Sequence, residues 1–137
     1  MITICSYTLI LLSVIYCVYN LSHFIDNFGE LQKKVGEYRD IVAELDDVRS
    51  GTLRKLVIQD FLLIAAYTAL AYFAGLQIWV LALIAIKFLY SSKLSNRFMD
   101  IVFKLESDVT PKFYRAQKID ALLNVLLCFF ILLILVV

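Results

Sequence analysis

The 137 residues carry 62% apolar and 18% charged side chains and a formal charge of +1. Soluble domains hold only about 45–50% apolar residues, so the sequence predicts an integral membrane protein, all-α, forming a single membrane domain over 1–137. The near-neutral balance gives no basic signal for a nucleic-acid partner.

The first element predicted is a transmembrane helix over about 2–22, MITICSYTLILLSVIYCVYN, with no basic n-region and no A-x-A-like cleavage site. An uncleaved first span is the expectation, with Tyr7, Tyr16 and Tyr19 near the interfaces. From about 24 to 49 the character changes. Phe28, Leu31, Val35, Tyr38, Val42 and Leu45 recur three and four apart, with Glu30, Lys33, Lys34, Glu37, Arg39, Asp40 and Glu44 on the other face. That spacing predicts an amphipathic helix, kinked near Gly29 or Gly36, both unfavourable helix residues. Ser50-Gly51 is expected to break it, and Thr52 to cap the next helix.

A hairpin follows. No charge occurs between Asp60 and Lys87, and Gly75-Leu76-Gln77 punctuates the run near its middle. Two spans are predicted, over about 56–75 and 76–92, the second reaching full length if Lys87 snorkels to the interface. A single long crossing over 61–86 and a hairpin wedged into one leaflet are the competing readings. Ala65/Ala69 and Ala71/Gly75 have the small-xxx-small spacing that lets helices approach closely in lipid. A second amphipathic segment is predicted over about 93–109, with Leu94, Phe98, Ile101 and Leu105 on one stripe. Thr110-Pro111 has the form of an N-cap followed by proline at the first helical position, where a missing N–H costs nothing. The last span is predicted over about 118–137, with Asn124 about a turn inside it and expected to hydrogen-bond another helix.

All thirteen Lys and Arg residues fall between the first and second predicted spans or between Lys87 and Lys118. Basic residues near span ends stay on the cytoplasmic side. Both charged segments are therefore expected in the cytoplasm, with both termini and the Gly75 turn on the opposite face; nothing in the sequence specifies which membrane. Loop geometry adds a constraint. A straight helix over 24–49 would be roughly 39 Å long, and the second span starts too soon afterwards for a return leg. The segment must lie along the membrane, tilt strongly or fold back.

Reactive groupings are missing from the sequence. Cys5, Cys17 and Cys128 stand alone inside apolar runs, His23 is the one histidine, and there is no Gly-rich phosphate loop, GxSxG or HExxH. Asp60 and Asp120 are placed within one or two turns of the cytoplasmic helix ends, within reach of water and of Arg54, Lys55 or Lys118, unlike the deep carboxylate of a proton carrier. His23 and Asp26, one turn apart, are more simply an incidental surface pair than a proton-sensitive switch. The reading is non-enzymatic, with no cofactor and no metal. It is an assembly, scaffold or regulatory subunit that meets the bilayer and a protein partner or a second copy through its amphipathic helices, unless the two stripes simply cover each other. Two alternatives remain: an oligomeric channel or transporter lined by Asn20, Tyr67, Thr68 and Asn124, and a membrane-shaping hairpin.

Overall fold

A computed structural model describes residues 2–44, 49–103 and 108–136. Among them are five α-helices and no strand: α1 (Ile2–Ile25), α2 (Phe28–Glu44), α3 (Arg49–Phe73), α4 (Ile78–Val102) and α5 (Pro111–Val136). Four helical stretches, Thr3–Ile25, Arg54–Phe73, Ile78–Val102 and Pro111–Val136, are long and apolar enough to cross a membrane. Leu45 and Leu105 lie outside the described residues.

The chain turns at Asp26 and Asn27, earlier than the predicted glycine kinks, and α2 then runs unbroken through Gly36. The cause is a capping box. The Glu30 amide donates to the Asn27 side-chain oxygen at 2.9 Å, and the Asn27 amide donates to the Glu30 carboxylate at 2.7 Å. Two further boundaries differ from expectation. Helix α3 begins at Arg49 and passes through Gly51 and Thr52 without the predicted break. A helical glycine costs about 1 kcal/mol, which a long apolar continuation outweighs. The third predicted span and the second amphipathic segment form one helix, α4, of 25 residues. Nothing between Tyr90 and Lys93 breaks helical geometry, so the change from apolar to amphipathic occurs along one rod.

The α3–α4 turn closes as the sequence implies. Gly75 has φ +87°, a left-handed conformation that glycine adopts without a Cβ penalty. The Leu76 amide donates to the Ala71 carbonyl and the Gly75 amide to the Tyr72 carbonyl, a Schellman closure of α3. Thr110 caps α5, its hydroxyl oxygen accepting from the Phe113 amide at 3.2 Å.

Helices α1 and α5 run antiparallel along the most extensive interface, and α3 packs on α1 and α4. At the Gly75 end the core is apolar: Leu9, Ala71, Val80, Ile84 and Ile131 are each at most 1% exposed. At the other end α2 folds back across α4 and α5. There Leu31 and Val35 pack with Leu94, Ile101, Val102, Val109 and Phe113. The loop problem is thus solved by folding back. The two amphipathic stripes lie against each other, and Arg39 fastens them. Its guanidinium donates to the Ile101 carbonyl at 2.9 Å and the Val102 carbonyl at 3.3 Å, both at the C-terminus of α4, and to Asp108 at 3.2 Å.

Candidate functional site

The polar end contains a cleft of about 800 Å³. Its walls come from every helix: Asn20 and His23 of α1, Lys34 of α2, Asp60 of α3, Ser91 and Ser92 of α4, Asp120 and Asn124 of α5. The cleft exists because the helices pair unevenly. Among the described residues α3 packs its backbone closely on α1 and α4, and meets α5 only through side chains of the shared apolar core. The α1–α3 contact is tied midway along both helices, where the Ser13 and Tyr67 hydroxyls share a hydrogen bond of 2.5 Å. Below that tie the two helices line opposite sides of the cleft. Phe88 bridges its floor, 5.6 Å from the Tyr16 ring and 5.4 Å from the Tyr67 ring.

The back wall is a connected polar network. Lys87 pairs with Asp120, both side chains being about one-seventh exposed (13% and 15%), and also donates to Ser91 at 2.8 Å. The Ser91 hydroxyl in turn lies 3.0 and 3.1 Å from the two Asp120 oxygens. Asn124 donates to the Asn20 side-chain oxygen at 2.7 Å and approaches Asp120 at 3.3 Å; Asn20 donates to the Tyr16 carbonyl at 2.8 Å. Every member is buried or half-buried and every one is satisfied, the condition under which such a network fixes a single packing arrangement. Two sequence expectations change here. Lys87 does not snorkel outward; it turns inward to Asp120, an acid 33 positions later. Lys118, expected near Asp120, donates instead to the Phe24 carbonyl and lies over the Phe24 and Tyr114 rings.

Across the cleft, Asp60 is half-buried and accepts from the Ser92 hydroxyl at 2.7 Å. No cation pairs with it among the described residues. The remaining charges at the mouth are tied: Asp26 holds Lys34 and lies 3.5 Å from His23.

The residues singled out from the sequence distribute as follows. Leu31, Val35, Leu94 and Ile101 are buried together between α2 and α4. Phe28, Val42 and Phe98 pack at the edge of that cluster, Phe28 edge-to-face with Tyr114 and Phe98 with the half-exposed Tyr38. Ala71 is fully buried in the apolar core, whereas Ala65 and Ala69 face outward from α3. Of the residues suggested to line a path, Asn20 and Asn124 meet in the cleft wall. Tyr67 belongs to the tie above it, and Thr68 is not in the wall. Sequence reasoning missed Ser91, Ser92 and the inward face of Lys87; a Lys-x-x-x-Ser-Ser stretch on one helix face was the available signal. Among the described residues no three His, Cys, Asp or Glu side chains converge as a metal-binding group. Comparison with protein-family models, curated proteins and solved structures finds no match.

Proposed function

We propose that this chain is a non-catalytic membrane subunit, an assembly, scaffold or regulatory component. It is inserted through α1, α3, α4 and α5, with the polar end and α2 in the cytoplasm and both termini and Gly75 on the opposite face. The observation that carries this reading is the segregation of charge. All thirteen basic residues fall in the two charged stretches of the sequence, and those described lie at one end of the bundle, as retention on the cytoplasmic side requires. The lengths agree. The candidate spans Arg54–Phe73 and Ile78–Val102 have 20 and 25 residues, roughly 30 and 38 Å, which meets the ~30 Å hydrocarbon core by length.

The surface offered to a partner is the outward face of α2. Its stripe is turned inward, which leaves Glu30, Glu37, Asp40 and Glu44 exposed beside Tyr38 and Ile41. The 26–50 segment carries seven acids and four bases. A net negative helix is poorly suited to lie on an anionic leaflet and better suited to a basic protein surface. Reversing Glu37, Asp40 and Glu44 to lysine, and leaving the capping-box Glu30 in place, should leave the bundle folded and release the partner. The assay is native electrophoresis of complexes extracted in mild detergent. A wild-type chain that migrates alone as a monomer contradicts the subunit reading.

The channel or transporter alternative draws on the cleft, but one copy offers no through path. Its polar walls end at the Tyr16–Phe88–Tyr67 floor, and the apolar core beyond is closed. Flux through reconstituted protein would revive that alternative.

A further inference from the structure

An 800 Å³ recess in the proposed cytoplasmic half of the bundle holds a carboxylate that no cation among the described residues pairs. Asp60 is that carboxylate. Lys34 is held by Asp26, Lys87 by Asp120, and Lys118 by a carbonyl and two rings. Ionisable groups at membrane depth pair with one another or mark a ligand site, and among the described residues Asp60 receives a single hydroxyl.

The shape of the cleft selects among cationic occupants. It reaches the outer surface of the bundle as well as the polar end: Tyr19 and Leu63 of its lining are 59% and 56% exposed. A compact polar headgroup falls within the ~300–1,000 Å³ of small-molecule sites, with its acyl chains left outside the slot. The donor set then selects the headgroup. Among the described residues Asp60 accepts through one oxygen only, from Ser92, and the Ser92 and Ser95 hydroxyl oxygens lie in the same cleft lining as acceptors. A primary ammonium offers three N–H donors to such a set; a quaternary ammonium offers none.

We propose that the cleft binds the primary ammonium headgroup of an aminophospholipid from the cytoplasmic leaflet, with Asp60 as its counter-ion. This rests on the membrane insertion proposed above, and the two ideas fail separately. Extraction of the chain from membranes by alkaline carbonate overturns insertion itself. If the chain stays in the membrane, the site is tested on full-length protein, delipidated in mild detergent and offered equal amounts of phosphatidylethanolamine, phosphatidylcholine and phosphatidylglycerol. Bound lipid is read by native mass spectrometry. The expected result is at least tenfold enrichment of phosphatidylethanolamine over each of the others. That enrichment should fall to near parity in Asp60→Asn, survive in Asp60→Glu, and be unchanged in Leu62→Ala on the lipid-facing side of α3. Asp60→Asn is isosteric and keeps an acceptor for Ser92, and the Asp60→Glu result separates loss of charge from loss of fold. Equal uptake of all three lipids, a preference for phosphatidylglycerol, enrichment that persists in Asp60→Asn, or equally tight binding of soluble phosphoethanolamine would overturn the proposal.

Discussion

The two ends of this bundle are built on opposite principles. At the Gly75 end, Leu9, Ala71, Val80, Ile84 and Ile131 fill the space between α1, α3, α4 and α5 almost without exposure. At the polar end the same helices diverge. They are held by an ion pair, a ladder of hydrogen bonds and the folded-back α2, with an open cleft between them. In lipid, apolar side chains gain little by leaving one apolar medium for another, so helix association depends on close fit and on polar contacts. The Gly75 end uses the first, and small Ala71 at its centre permits it. The polar end uses the second, and directional bonds tolerate a gap that close packing would not.

This contrast can be broken at its strongest point. Phe113 is 1% exposed and sits where α2, α4 and α5 meet. Phe113→Ala should cost about 3–5 kcal/mol, measured by SDS-titrated unfolding, and should expose α2 to limited proteolysis. The ion pair comes next. Lys87→Met alone strands the Asp120 carboxylate and should cost about 3 kcal/mol. The double variant Lys87→Met/Asp120→Leu should recover most of that loss, because removing both members of a buried pair is far milder than removing one. A double variant no better than the single would mean that Ser91 and Asn124 require the charge. The smallest effect sharpens the comparison directly. Ala71→Leu, adding three carbons to a filled core, should cost about 1–3 kcal/mol, while Ser95→Leu, pointing into the cleft, should stay within about 0.5 kcal/mol. Equal costs at the two positions would argue that both ends are packed alike.

Much of the Gly75 end was legible from sequence because its determinants are local. A charge-free run marked the hairpin and Gly75 marked a left-handed turn; at the polar end, Thr110-Pro111 marked a helix start in the same local way. The stripe on α2 and the stripe on α4 were also legible as faces, and their mutual packing was one of two destinations the spacing allowed. The polar end was less legible. Lys87 and Asp120 are far apart in the chain, and hydropathy weighs each alone, so outward snorkelling looked natural for one and solvent for the other. The cleft depends on which helices pack closely, a property no local pattern encodes. One signal lay in plain view: Asn27-x-x-Glu30 is a capping-box pattern, and it places the α1–α2 turn better than Gly29 or Gly36 does.

The central claim is that the polar end is open to water and the Gly75 end is sealed. It is tested most directly by thiol accessibility of the delipidated protein in mild detergent. With Cys5, Cys17 and Cys128 replaced by alanine, single cysteines at Ser92, Ser95, Ala71 and Ile84 would be exposed to a water-soluble maleimide. Fast labelling at positions 92 and 95 with none at 71 and 84 is the predicted result. Protection at 92 and 95, or labelling at all four positions, would contradict the account.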